Sequence, residues 1–405
     1  MRTAGIICEC NPMHDGHRYL IEQAKKSGVD TVICVMSGCF TQRGEPAMLD
    51  PRTRARILLL GGADAVLELP FPYSAAGAEY FAKAGVSILD RLGVNSLWFG
   101  SECGDLDYLS RIAEISAQKS FQERYRAACA DGSVGTAQAY FECLHALGAQ
   151  EKPLFSNDIL GISYLRALMQ IGSGMEARTV KRVGSGFRED VLKKGELPSA
   201  SALRKLLLDK GIEAWEEYLS QEAIALASEQ IEKGCAPACW ENAERAVLSH
   251  FRLMSPEWQE KVPELVGGLG RRVFRAAQEA RSFEELLKLS ATKKYPESRI
   301  RRGILFSMTG ITEADLRREP AYAVLLAANA AGCDFLAIGR RNRKISVVTS
   351  HAKIPSSDDA IRQEFLTRQA FSLYTLCMKQ PIASDAFLRC SSFIEEETTE
   401  KNTKK

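Results

Sequence analysis

The chain has 405 residues, 45% of them hydrophobic and 26% charged, with a formal net charge of +2. That length admits two domains, or one large domain with an appendage, and leaves room for a sizeable core. With 53 basic against 51 acidic residues the chain is no bulk polycation, so any nucleic-acid surface must come from local clusters of Lys and Arg.

Thr3 to Cys10 reads as a short buried strand that breaks at Asn11-Pro12, and a helical pattern begins near His17 with Leu20, Ile21 and Ala24 as its apolar positions. Thr31 to Met36 is a second strand, Pro51 to Leu60 a helix with Pro at an early position, and Asp64 to Leu69 a third strand. Ala76 to Leu92 is helical and Asn95 to Phe99 is a fourth strand. Strands alternating with helices predict an α/β, Rossmann-like domain, and apolar runs such as Val32-Ile33-Cys34-Val35 predict a parallel sheet buried on both faces. Asp105 to Leu147 is mostly helical, Asn157-Asp158 reads as a cap for the helix through Gln170, and Met175 to Arg182 is a further strand. Gly184 to Glu196 is a charged, glycine-containing loop, after which Ser199 opens a helix over Ser201 to Leu208.

Beyond about Gly211 helical patterns dominate, with Trp215, Trp240 and Trp258 as expected core anchors. A β-like run, Ile345 to Val348, and a helix from Ser357 to Met378 follow. The expected division is a catalytic domain over 1–210, a mainly helical domain over 211–394, and a charged, disordered tail over 395–405. The 12 cysteines show no disulfide framework, no secretory leader follows Met1-Arg2-Thr3, and no apolar run reaches transmembrane length. Reduced cysteines, a cytoplasmic location and no membrane contact are therefore expected. Cys235 and Cys239 flank Ala-Pro-Ala with no second pair or matched His nearby, and no metal ligand set is expected.

The strongest chemical signal is Asn11-Pro12-Met13-His14-Asp15-Gly16-His17, between the first strand and the first helix. A helix N-terminus offers unpaired N–H groups and the positive end of a dipole, Gly16 lets the backbone approach a ligand, and imidazoles can donate to phosphate oxygens. The bland alternative is a turn with incidental histidines, but two of the chain's five His fall in it. Leu197-Pro198-Ser199-Ala200-Ser201-Ala202-Leu203-Arg204 offers a second phosphate site, with Ser199 or Ser201 capping the helix and Arg204 one turn in. A third is the loop Ser37-Gly38-Cys39-Phe40-Thr41-Gln42-Arg43-Gly44-Glu45-Pro46, where Arg43 could equally serve in an ion pair. Asn157 and Arg182 are softer candidates, since Asn157 also reads as a simple helix cap. Val183-Gly184-Ser185-Gly186 resembles a piece of a dinucleotide fingerprint in the wrong context and is set aside. For RNA, Thr292 to Arg302 mixes Lys293, Lys294, Arg299, Arg301 and Arg302 with Tyr295, a pattern suited to phosphate contacts and base stacking; Arg340-Arg341-Asn342-Arg343-Lys344 is a second basic cluster.

The His14-Asp15-Gly16-His17 turn resembles the nucleotidyltransferase signature shared with adenylyltransferases and class I aminoacyl-tRNA synthetases, and Ser199 to Arg204 resembles that superfamily's second phosphate motif. Further blocks, Glu9 to His17, Ser37 to Ala47, Phe99 to Glu102, Asn157 to Gly161 and Thr292 to Arg302, are similar to the bacterial tRNA(Met) cytidine acetate ligase family. The resemblance implies ATP as substrate, accompanied by Mg, activation of acetate as acetyl-adenylate, and acetylation of the N4 amine of a wobble cytidine in elongator tRNA(Met). It implies an ATP site along Ile7, Glu9, Asn11, Met13, His14, Gly16, His17 and Leu20, closed by Gly100, Asn157 and Arg182, with His14, His17, Ser201 and Arg204 as catalytic groups. Lys293, Lys294, Arg299, Arg301 and Arg302 would contact the tRNA. Two rival readings stay open on the sequence: a small-molecule adenylyltransferase, and a non-catalytic RNA-binding protein with a vestigial nucleotide site. The oligomeric state is left open.

Overall fold

A computed structural model describes residues 1–131, 136–149, 153–182 and 198–395. The expected Gly184 to Glu196 loop, the Val183 to Gly186 fragment and the tail beyond 395 lie outside the described residues. Eight strands build one sheet: β1 (Thr3–Cys8), β2 (Thr31–Ser37), β3 (Ala65–Leu69), β4 (Ser96–Ser101), β5 (Glu176–Lys181), β6 (Tyr322–Ala328), β7 (Ser346–Val348) and β8 (Phe393–Ile394). The order is β5-β4-β1-β2-β3-β6-β7, with β8 beside β6. Only the β3–β6 pairing is antiparallel. The α/β, mostly parallel architecture is as the alternating pattern predicts. Every residue of β1, β2 and β3 is buried, as strands covered on both faces must be.

From β1 the chain winds first to β2 and β3 on one side, then crosses back to β4 and β5 on the other. The carboxyl ends of β1 and β4 therefore flank the switch point, the crevice where open α/β sheets bind ligands. The turn after β1 with His14, the last residues of β4 with Gly100, and Arg182 just after β5 all open there.

The largest difference from the sequence expectation is β6. Its apolar run, followed by Ala-rich Asn329–Gly332, carries no alternation that separates a strand from a buried helix. It enters the sheet at β3, bringing residues from beyond 210 into the same sheet as the N-terminal strands. Trp215 and Trp240 are fully buried, but Trp258 is 38% exposed and anchors no core. Among the described residues no helix is long and apolar enough to cross a membrane.

One buried cation organises the loops around the switch point. Arg54, on the helix Pro51–Leu60, is 1% exposed. Its guanidinium donates to the carbonyls of Leu49 at 3.0 Å, Glu9 at 2.7 Å and Ser37 at 2.9 Å, and to that of Gly38. The Ser37–Pro46 loop then docks on the helix Glu297–Thr309. Gly44 has φ +71°, and a Cβ there would lie 2.6 Å from the Arg302 backbone nitrogen, so both conformation and space demand glycine. The Trp240 indole donates to the Gly44 carbonyl at 2.8 Å, and Tyr374 donates to that of Ala47 at 2.7 Å. The loop is thus tied to the helical half on three sides.

Candidate active site

His14 does not merely precede the first helix; it caps it. The helix runs Asp15–Lys26, and the His14 Nδ1 accepts from the Gly16 N–H at 3.0 Å. In return the His17 Nδ1 accepts from the His14 N–H at 3.3 Å, closing a capping box built from two imidazoles. The two rings lie 4.0 Å apart between centroids. A Cβ on Gly16 would lie 2.7 Å from the His14 Cε1, so this packing leaves room for glycine alone.

The capping bonds decide the tautomer. Each Nδ1 is occupied as an acceptor, so a neutral ring carries its proton on Nε2. Burial, with the positive character of His17 and Arg182, holds the His14 ring well below the ordinary histidine range. Burial also lowers His17; the nearby Cys8 thiol opposes this and Arg182 reinforces it. At neutral pH both rings are therefore neutral Nε2–H donors at the positive end of a helix dipole. Asp15 pairs with Arg18 at 3.5 Å and takes no part in lining the cavity.

Both rings bind protons less readily folded than unfolded, so their contribution to stability is complete above the unfolded value of about 6.5 and declines as pH falls below it. The melting temperature is expected to fall between pH 7 and pH 5, and the His14→Asn variant, which keeps a capping side chain, is expected to show a shallower fall. An identical fall in that variant would show that the His14 ring contributes nothing to it.

The cavity at the switch point has a volume of about 500 Å³. Ile7, Glu9, Asn11, His14, Gly16, His17, Leu20, Gly100, Asn157 and Arg182 line it, as do Ser201 and Arg204. Met13 does not. Its side chain is 3% exposed and turns into the core, with its Cε filling the space beside Gly61. Asn157 is not the helix cap: the helix is Ser156–Ile171, its cap is Phe155, and Asp158 accepts from the Phe155 N–H at 3.0 Å. Asn157 instead donates its Nδ2–H to Glu102 at 2.6 Å, while Glu102 also accepts the N–H of Asp158 at 3.0 Å.

Arg204 comes from the helix Ala200–Lys210, capped by Ser199, whose hydroxyl accepts from the Ala202 N–H at 3.1 Å. Its guanidinium donates to the Asn11 carbonyl at 2.7 Å and the Ser201 hydroxyl at 3.1 Å, and lies 3.6 Å from the Glu45 carboxylate. The second phosphate motif is thereby brought to the first across 193 positions of sequence. Glu9 accepts from the Gln42 N–H at 2.7 Å, and burial raises its carboxyl above the usual range. Gln42, from the loop after β2, lines the cavity with its Nε2 buried and without a partner. That donor is available to an oxygen of a bound ligand, and no pattern in the sequence singles it out from its neighbours.

The basic stretch divides. Arg302 lines the cavity and pairs with Glu264 at 2.9 Å. Arg299 donates to the Glu264 carbonyl at 2.9 Å and stacks over the Tyr295 ring at 5.2 Å. Arg301 pairs with Glu297 at 2.7 Å and with Glu45 at 3.7 Å. All three are half-buried, and Arg301 and Arg302 tie their helix to the loop after β2 through Glu45 and the Gln42 carbonyl. Lys293 and Lys294 are exposed.

The HIGH Nucleotidyl Transferase family model matches residues 1–385. The tRNA(Met) cytidine acetate ligase of Acetivibrio thermocellus is 33% identical over 404 residues, covering 94% of this chain and 96% of that one. The chain belongs to the tRNA(Met) cytidine acetate ligase family. The Thermotoga maritima ligase is 33% identical over 357 residues, covering 84% of this chain and 85% of that one. The crystal structure of Thermotoga maritima TmcAL bound with alpha-thio ATP superposes with a TM-score of 0.88 at 29% identity, covering 97% of this chain and 99% of that one. Its apo form gives 0.89 at the same 29% identity, with 98% and 100% covered. Family membership decides against the two rival readings.

Proposed function

We propose that the protein is an ATP-dependent ligase that activates acetate as acetyl-adenylate and transfers the acetyl group to the N4 amine of the wobble cytidine of elongator tRNA(Met). The observation that carries this reading is the facing of two Nε2–H imidazole donors and Arg204 into one cavity. The relatives' name, tRNA(Met) cytidine acetate ligase, supports this choice of acceptor and acid. A tRNA substrate fits a cytoplasmic enzyme; residues 1–210 would supply most of the catalytic groups, and 211–394, which also complete the sheet and reach the cavity with Arg302, would supply the tRNA-binding part.

In the first step an acetate oxygen attacks the α-phosphorus, a P–O bond forms, and the bond to the bridging oxygen breaks to release pyrophosphate. Acetate is ionised at neutral pH, so the site needs no strong base. Positioning and charge stabilisation carry the rate. His14 and His17 donate to the phosphate oxygens where charge develops, and Arg204 with Ser201 holds the departing pyrophosphate. Arg204 exchanges its partner Glu45 for phosphate as ATP enters. The orphaned Gln42 donor suits a carboxylate or phosphate oxygen. In the second step the cytosine amine attacks the acetyl carbon, a C–N bond forms, AMP leaves and the nitrogen gives up a proton. A wobble base lies in a loop and can be splayed into a cavity.

Among the described residues no cluster of three or more His, Cys, Asp or Glu could hold a metal ion. The described residues therefore build no metal cage of their own, and Mg is expected to arrive on the phosphates of ATP with its remaining sites filled by water.

The test is direct. Incubation with ATP, labelled acetate and elongator tRNA(Met) is expected to release AMP and leave the label in N4-acetylcytidine. AMP transferred to a metabolite, or no acetate-dependent AMP release, would refute the proposal.

A further inference from the structure

Arg299, Arg301 and Arg302 would have to give up ion pairs to hold RNA, whereas unpaired cations would not. The helix Leu269–Glu279 supplies them. Its solvent face carries Arg271, Arg272 and Arg275, all exposed, and with Leu289 and Tyr295 they line a groove of about 470 Å³ away from the ATP cavity. The Arg271 and Arg275 side chains make no hydrogen bond or ion pair with any described residue. Arg272 is braced by donating to the carbonyls of Ser290 at 2.8 Å and Leu289 at 2.9 Å, which fixes its charge at the rim. The carboxylate that lines the groove, Glu279, sits at the helix's far end. The start of the same helix is already capped, because Glu260 accepts the N–H groups of Gly268 at 3.1 Å and Arg271 at 2.9 Å. Anion binding here therefore depends on the side chains rather than on free backbone donors.

We propose that this arginine face, Arg271, Arg272 and Arg275, is a docking surface for the sugar-phosphate backbone of the RNA substrate; the inference rests on the ligase reading above. Arg271 and Arg275 stand one helical turn apart, ~5–6 Å at Cβ, a spacing that addresses successive charges along a strand. Unpaired surface cations gain most from phosphate, because binding releases condensed counterions and breaks no existing ion pair. One short stretch of chain borders both the groove and the ATP cavity. Tyr295 lines the groove and donates to the Gly267 carbonyl at 2.5 Å, and three residues on, Ser298 lines the ATP cavity. In the Arg340–Lys344 cluster all but Arg343 are exposed as well, but none of its residues lines either the groove or the cavity.

The experiment is binding of an unmodified elongator tRNA(Met) transcript, by fluorescence anisotropy across a KCl series, to the wild type and to the R271Q/R275Q double variant. The double variant is expected to bind roughly 10-fold more weakly at low salt, with a salt slope shallower by about 0.7–0.9 for each arginine replaced, and to keep the wild-type melting temperature. If the double variant is poorly folded, R271Q and R275Q tested singly are expected each to show one arginine's share of the change. Unchanged affinity and slope in folded variants would overturn the proposal while leaving the ligase reading intact. Displacement of the transcript by poly-L-glutamate as effectively as by free RNA would overturn it too, assigning the face to an acidic protein. A wild type that binds no tRNA at all would instead refute the ligase reading.

Discussion

Replacing His17 by alanine is expected to lower acetate-dependent ATP–pyrophosphate exchange by roughly 10²–10³-fold, the loss typical of removing one preorganised donor from a developing oxyanion. The effect has two sources in the capping box. The Nε2–H donor disappears, and the His14 N–H loses the Nδ1 that accepts from it at 3.3 Å. The second loss also loosens the His14 ring, which packs 4.0 Å from His17 between centroids. Its cost to stability is that of a helix cap, about 1 kcal/mol, far too small to unfold the protein. Exchange and melting temperature measured on the same preparation therefore separate the roles. A variant that keeps more than half of the wild-type exchange would show that His17 serves the helix and not the phosphates.

The largest expected effect on stability lies at Arg54→Met. The substitution keeps much of the side chain's volume but removes every donor from a residue only 1% exposed. The carbonyls of Leu49, Glu9, Ser37 and Gly38 then lose their shared partner. A buried acceptor left without a donor costs about 1–3 kcal/mol, and since some of these carbonyls can relax toward the cavity, a total of about 3–5 kcal/mol is expected. For a chain of this size that is a fall of about 4–6 °C in melting temperature. The loss should extend to ATP binding, because Glu9 and the Ser37–Pro46 loop are positioned by these same bonds. A melting temperature within a degree of the wild type would show that the loops hold without the guanidinium.

The legible parts of this protein were the local ones. His14 and His17 form their capping box with backbone groups two and three positions away, so the motif, its turn and its helix can be read together from one short stretch. The buried strands β1 to β4 announce themselves by continuous apolar runs, and the Ser199-capped helix by its cap. Arg54 was not legible, since Arg52-Thr53-Arg54-Ala55-Arg56 looks like the solvated side of a helix. Asn157 reads as a cap in the sequence, although the capping is done by Asp158 and by Glu102, the latter 55 positions away from Asn157. Gln42 shows itself only as an orphaned donor in an assembled cavity.

By itself, then, the sequence determined the α/β class and the histidine turn with its helix, because each depends on residues within a few positions of one another. The tertiary structure decided which cations are already neutralised. Arg299 and Arg302 meet Glu264, and Arg301 and Arg204 meet Glu45, across separations set by the fold rather than by spacing along the chain. Coulomb energy falls with distance in space, so a charge's availability to a substrate is a property of the folded surface that no linear pattern contains.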